Sequence, residues 1–497
     1  MTAGPSHPAD ADPVDIRALG GRATGQLLLR VVLTRALTFG ALIILARALS
    51  PAEFGAFAVI GIVVSMAVAV GDLGINGALI QQPSPPSRQE LATAWTLQLL
   101  IWLVGAVLIW MAAPLIASAA GLGADGAMQI RVMTLTLLLW TSRHIPVALL
   151  TRAMRFDVLA RTEVAQVAVN HSTTILLALN GFGVWSFVLG AVMQAATGAL
   201  LFNLAWRGWL GWGLELSAAS RLLRYGVRYQ AAEGLGALRD VVVPVLGGLA
   251  GGVTAVGYLH FAWRNGQLAS SVEEIAGRVS MPAFSRVGAD RQRLARAARM
   301  AILTVALVVG AVQWWVIAVA PELVTNVFGD RWGPAVIPLQ LICLGSMALP
   351  PARIMRSLLH AAGMPGPAMR AVIGGVVALY VGFGVLTTLA GLAGAGAAFA
   401  LASVIGLLLL ARASGPVMAF PWLDFLRVNA LAMIAAGGAW LVVGAAGGGI
   451  GLVASGFAHV AVLGALAWFV ERETITWLRD TWLSARRGPP ARSGVEI

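Results

Sequence analysis

The chain of 497 residues contains no lysine, a single cysteine and four tyrosines, and only 11% of its residues are charged. Each shortage excludes something. A lone Cys343 cannot build a disulfide framework, and its expected place is inside a helix. So little charge cannot cover a soluble protein of this length, in which about a quarter of residues are charged. Cysteine and histidine nowhere fall at metal-ligand spacing, so neither a metal nor another bound cofactor is expected. No Walker-type glycine loop ends in Lys-Ser or Lys-Thr, which leaves no ATPase signature. The glycines at Gly444-Ala-Ala-Gly-Gly-Gly-Ile450 read as a turn and not as a phosphate cradle. Residues 1–15 lack a basic start and an apolar stretch, so they read as a disordered tail rather than a cleavable leader.

What is present is apolar residue in long runs: 59% of the chain, with mean hydropathy +0.83. That predicts an all-α integral membrane protein of about 14 transmembrane helices, since a span needs ~20 apolar residues. The runs begin near Gly25, Phe54, Leu91, Gly126, Val158, Val184, Leu222, Val253, Leu294, Pro334, Ala368, Leu392, Trp422 and Gly451. A final stretch with Ile475, Leu478 and Trp482 on one side reads as an interfacial helix.

The basic excess, net +12, is all arginine. Such a balance in a soluble protein would suggest nucleic acid. Here arginines fall mostly in alternate connections: 152, 155 and 161; 207, 221 and 224; 286, 291, 293, 296 and 299; 412. The other connections are nearly free of them, with Arg131 and Arg331 as exceptions. By the positive-inside rule both termini are cytoplasmic, and no nucleic-acid partner is expected.

A faint internal repeat is visible. Pro114 and Pro321 close the third and ninth spans, and Gly55 and Gly257 open the second and eighth. Both pairs relate helix n to helix n+6, the parallel type of transporter repeat. The expected organisation is a cytoplasmic tail (1–20), two six-helix lobes (21–210 and 211–412) around a central cleft, an extra helix pair (413–470) and a cytoplasmic tail with the interfacial helix (471–497).

Charges inside the spans are the candidate functional residues, because each costs on the order of 3 kcal/mol even on the mild insertion scale. In the first span Gln26, Arg30, Thr34 and Thr38 form one polar stripe, and Arg35 sits deeper. Arg264 lies near the middle of the eighth span, and Arg353 and Arg356 lie one turn apart on the tenth. Guanidinium suits a diphosphate, its planar fork donating two parallel hydrogen bonds. Arg35, Arg264, Arg30, Arg353 and Arg356 are therefore the substrate-binding candidates, with snorkelling to the headgroups the alternative for Arg30. Acidic or titratable candidates for coupling to H+ or Na+ are Glu233, Asp240, Glu163, His171 and Asp72, since a buried carboxyl can bind and release a proton near neutral pH. For Glu233 the competing role is a structural counter-charge.

Several blocks then carry a family likeness. They are Leu45-Ala-Arg-Ala-Leu-Ser-Pro-Ala-Glu-Phe-Gly-Ala-Phe-Ala-Val59, Asp72-Leu-Gly-Ile-Asn-Gly-Ala-Leu-Ile-Gln81, Phe182-Gly-Val-Trp-Ser-Phe-Val-Leu-Gly190 and Leu222-Leu-Arg-Tyr-Gly226. Further on come Gly257-Tyr-Leu-His-Phe-Ala-Trp-Arg264, Pro282-Ala-Phe-Ser-Arg286, Ala320-Pro-Glu-Leu-Val324 and Phe328-Gly-Asp-Arg-Trp-Gly-Pro-Ala-Val336. In this order the chain resembles the polysaccharide-exporter family of bacterial lipid-linked oligosaccharide flippases, within the multidrug/oligosaccharidyl-lipid/polysaccharide superfamily. The chain departs from that pattern at Val241-Val-Val-Pro244, where an Asp-Asn-type pair is usual.

The resemblance implies a transporter and not an enzyme. It would move polyprenyl-diphosphate-linked repeat units from the cytoplasmic to the outer leaflet of the inner membrane, for lipopolysaccharide or exopolysaccharide synthesis. It also implies alternating access coupled to an ion gradient, and polymerase and chain-length proteins as partners beside the bilayer itself. In lipid II flippases of that superfamily, arginines on the first and eighth helices line the central cavity, by analogy a role for Arg35 and Arg264. The alternatives are a drug/cation antiporter, which would favour acidic cavity residues, and a membrane glycosyltransferase or polymerase, which would need a larger outer loop.

Overall fold

The computed structural model describes residues 33–71, 74–75, 77, 79, 85–153, 155–206, 211–223, 251–266 and 291–470. Among them every regular element is a helix. We number these α1 (33–48), α2 (Pro51–Gly71), α3 (Arg88–Ala120), α4 (Gly126–Arg152), α5 (Phe156–Leu179), α6 (Val184–Ala205), α7 (216–223), α8 (251–266) and α9 (Arg291–Leu323). They continue as α10 (Val336–Ser346), α11 (Leu349–Ala361), α12 (Pro365–Ser414), α13 (Trp422–Ala446) and α14 (Gly448–Val470).

Nine of the described segments are long and apolar enough to cross a membrane. The chain is a multi-pass membrane protein. Together α10 and α11 form the expected tenth span, while α12 holds the eleventh and twelfth, divided at Ala390 (φ −132°) and Gly391 (φ +54°). Left-handed backbone at Gly391 is cheap only without a side chain, which is why an Ala-Gly pair ends one helix and starts the next. Most of the expected seventh span, with Glu233 and Asp240, falls outside the described residues.

Local sequence explains the helix starts. Ser87 caps α3 and Glu90 answers it: the Glu90 N–H donates to Ser87 Oγ at 3.1 Å and the Ser87 N–H to Glu90 Oε2 at 3.0 Å. Ser50 and Glu53 do the same for α2, with the Ser50 N–H 2.6 Å from Glu53 Oε2. Such a reciprocal box satisfies donors that a helix start otherwise leaves unpaired. Both α3 and α9 run 33 residues, about 50 Å at 1.5 Å per residue, well beyond the apolar thickness of a bilayer. Each carries its interior proline near the far end, Pro114 and Pro321.

The chain divides into two compact units, one of Met1–Leu49 and Val59–Leu238, the other of Ser50–Ala58 and Arg239–Ile497. In the second, the first turns of α2 lie against α8 with almost no space. A Cβ on Gly55 would collide with the Val253 carbonyl oxygen, and one on Gly257 with that of Pro51. The two glycines matched in the sequence repeat thus face each other, the small-residue crossing that lets membrane helices touch backbone to backbone. Beside it Trp332 is fully buried, stacked on Phe261 at 4.3 Å and edge-on to Phe54 at 4.9 Å. An extended apolar cluster in this unit joins α9, α11, α12 and α13 through Ile302, Ile354, Leu358, Leu407 and Val428.

Candidate functional sites within each unit

In the first unit the polar groups of three spans converge on α5. Glu163, Gln166, Asn170 and Thr174 fall three or four residues apart, so they make one stripe down the helix. Arg143 of α4 donates from a guanidinium nitrogen to Gln166 Oε1 at 2.7 Å, and its guanidinium carbon lies 5.1 Å from the Trp140 ring centroid. Glu163 is within Coulombic reach of the same arginine. The Gln166 amide is 2% exposed and donates its N–H to the Thr162 carbonyl at 3.3 Å.

One turn on, Asn170 Nδ2 donates to Gln194 Oε1 of α6 at 2.7 Å, and Thr174 Oγ1 donates back to the Asn170 carbonyl at 2.8 Å. His171 Nε2 meets Thr38 Oγ1 of α1 at 3.2 Å. Two glycines of α6 leave room for this seam. A Cβ on Gly198 would run into Gln166, and one on Gly190 into Thr174. The seam is full: each of these polar groups is packed against another.

The second unit offers an open space instead. Arg353 and Arg356, one turn apart on α11 and both half-buried, border a cavity of about 120 Å³. Its other walls come from α11 (Leu349, Ala352) and α12, where Leu379, Phe399 and Leu410 stand beside Gly375, Ser403 and Gly406. A second space, about 260 Å³, lies at the start of α8 between Thr254, Tyr258, Thr387 and Gly391.

The other candidates distribute as follows. Arg35 is exposed on α1 and Arg264 exposed on α8. Arg30, Glu233, Asp240 and Asp72 lie outside the described residues. Glu163 and His171, both half-buried on α5, are eight residues and so roughly 12 Å apart along the axis. Glu163 lies near Arg143 and His171 near Thr38. Arg353 and Arg356 are brought together. Gln166, Asn170 and Gln194 were not among the candidates, because uncharged amides raise no alarm in an apolar run. For Gln166 and Asn170 the three- and four-residue spacing behind Glu163 was the available signal; Gln194, on another helix, had none.

Residues 44–337, more than half of the chain, match the family model described as polysaccharide biosynthesis protein. The succinoglycan biosynthesis transport protein ExoT of Rhizobium meliloti (strain 1021) is 26% identical over 335 residues, 66% of this chain and 67% of that protein. Lipopolysaccharide biosynthesis protein WzxC of Escherichia coli (strain K12) is 25% identical over 309 residues, and the alignment spans 61% of each chain. Among solved structures, the lipid II flippase MurJ in an inward closed conformation superposes with TM-score 0.66 at 14% identity, covering 90% of this chain and 99% of that one. An inward-facing multidrug resistance MATE transporter of the MOP superfamily gives 0.53 at 15% identity, covering 81% and 98%. At such identities the two structures establish the fold alone. The chain belongs to the polysaccharide biosynthesis protein family.

Proposed function

We propose that this protein is a flippase that carries polyprenyl-diphosphate-linked oligosaccharide repeat units from the cytoplasmic to the outer leaflet of a bacterial inner membrane, supplying surface or exopolysaccharide synthesis. The observation that carries this reading is membership of the polysaccharide biosynthesis family in a chain that shares its fold with a lipid II flippase along most of its length. The names of the two relatives, a transport protein for succinoglycan and a lipopolysaccharide biosynthesis protein, point the same way.

The chemistry fits an anionic cargo. Arg35 and Arg264 expose guanidinium groups on membrane helices, where a charge is sustained only by facing protein, water or a ligand. A diphosphate is the ligand that a guanidinium fork matches best. Arg30 belongs with them by sequence. The lipid tail stays in the bilayer while the sugar crosses in an aqueous cavity.

Transport by alternating access then needs a ligand that binds the two states unequally. Binding of H+ or Na+ at an acidic side chain supplies it, with Glu233, Asp240, Asp72 and the α5 pair Glu163 and His171 as candidates. The arginine asymmetry of the connections sets both termini in the cytoplasm. Polymerase and chain-length proteins are the partners that receive the flipped unit.

The test uses cells that accumulate a labelled lipid-linked precursor. A variant carrying Arg35→Ala and Arg264→Ala inserts in the membrane but leaves the precursor on the inner leaflet. Outward exposure at the normal rate in that double variant overturns the cationic-site reading.

A further inference from the structure

We infer that Arg131 and Gln340 are positioning residues, each stapling a proline kink by donating to the backbone carbonyl that the proline deprives of its helical donor. Proline has no N–H, so a proline inside a helix frees the carbonyl four residues earlier. Among the described helices, three prolines lie beyond the first turn: Pro114 in α3, Pro146 in α4 and Pro321 in α9. The carbonyls they free belong to Trp110, Ser142 and Ile317. Each of the three accepts a side-chain hydrogen bond from another helix of its own unit.

The Trp110 carbonyl accepts from Arg131 Nε of α4 at 3.3 Å, and the guanidinium carbon stands 5.5 Å from the Trp110 ring centroid. The Ile317 carbonyl accepts from Gln340 Nε2 of α10 at 3.0 Å. The Ser142 carbonyl accepts from Asn203 Nδ2 of α6 at 3.0 Å. The first two form a matched pair. Pro114 and Pro321 are the prolines of the sequence repeat, and each donor comes from the span that follows, 21 and 23 residues after its carbonyl. The repeat thus extends from the prolines to the side chains that serve them.

A bilayer offers no bulk water to replace a missing donor, so a freed carbonyl must be served from inside the protein. A kink tied to the next span is held at one angle; without the tie the helix pivots about its proline. Arg131 and Gln340 therefore set the direction of the far end of α3 and of the far end of α9, which runs on through the wider turn Val324–Phe328. This also accounts for Arg131, an exception to the alternation of arginines between connections. Its bond to Trp110 gives that charge a task unrelated to marking a membrane side.

The test asks whether side chain and proline depend on each other in purified full-length protein. Arg131→Leu raises the unfolding constant in detergent about threefold more in the wild-type background than beside Pro114→Ala, where a restored N–H serves Trp110; threefold is the average worth of an interhelical hydrogen bond in a membrane. Gln340→Leu behaves in the same way with and without Pro321→Ala. Spin labels at Leu100→Cys and Ser118→Cys, on either side of the kink, read its angle, the native Cys343 being buried. Wild-type protein gives one narrow distance distribution, Arg131→Leu broadens it, and adding Pro114→Ala narrows it again.

Lost packing alone is not repaired by Pro114→Ala. If Arg131→Leu fails to accumulate, its recovery by Pro114→Ala reads the same coupling, and the Gln340 pair reads it independently. Equal loss with and without the proline in both pairs, or a distribution that Arg131→Leu leaves unchanged, overturns the inference. No readout involves transport, so a failed flipping assay leaves these outcomes standing.

Discussion

The α4–α5–α6 seam of the first unit and the α11–α12 cavity of the second place the same kind of residue in different packing, one in a filled seam and one beside a cavity. Arg143 is packed on Trp140 and bonded to Gln166, with Glu163 nearby, and glycines of α6 shape the space around those partners. Arg353 and Arg356 instead border a cavity between α11 and α12. Small residues shape both places: at Gly198 the missing side chain admits an amide, and at Gly375 and Gly406 it lets the two arms of α12 approach closely.

That contrast is broken if the two arginine sites respond alike to truncation. Arg143→Ala should cost the most, about 3 kcal/mol, because it removes the charged donor to the Gln166 carbonyl, which is buried in the seam. The loss is read as a lower midpoint of unfolding in detergent. Gly198→Ala should follow at about 1–3 kcal/mol, the usual cost of overpacking, since the Gln166 amide must give way.

A double-mutant cycle on Asn170→Ala and Gln194→Ala should give a coupling of about 0.6 kcal/mol, and no more than ~1.7, the range for interhelical hydrogen bonds in membranes. Substituting Arg353→Gln and Arg356→Gln together should change the same midpoint less than Arg143→Ala does, by about 1 kcal/mol, because both side chains border a cavity instead of a packed seam. Asp424→Asn should do least. Its exposed pair with Arg299 (2.6 Å) is worth about 0–1 kcal/mol and weakens with salt.

Much of the architecture was legible in the sequence because hydropathy addresses what a bilayer punishes most. The expected starts at Gly126, Val184 and Trp422 are the first residues of α4, α6 and α13. The break implied by separate starts near Ala368 and Leu392 lies at Ala390 and Gly391. Gly55 and Gly257 were noticed only as matching letters; that they touch is a fact of packing which no count of residues contains.

The sites were legible only in part. Arginine stands out in an apolar span, so Arg35, Arg264, Arg353 and Arg356 were visible. Whether a given arginine meets an amide, a carboxylate or a hollow depends on neighbours far away in sequence, as Arg143 and Gln166 illustrate. Amides cost little enough to pass unremarked in hydropathy, yet Gln166, Asn170 and Gln194 hold the first unit's interior.

The most direct test of the central claim is made with purified protein in sealed vesicles that carry a fluorescent polyprenyl-diphosphate-linked sugar on both leaflets, probed by an impermeant quencher. Wild-type protein should let the quencher reach the inner-leaflet pool within the assay, and the Arg35→Ala, Arg264→Ala variant should leave that pool protected at the level of empty vesicles. Protection in wild-type vesicles equal to that in empty ones, across both H+ and Na+ gradients, would contradict the flippase account.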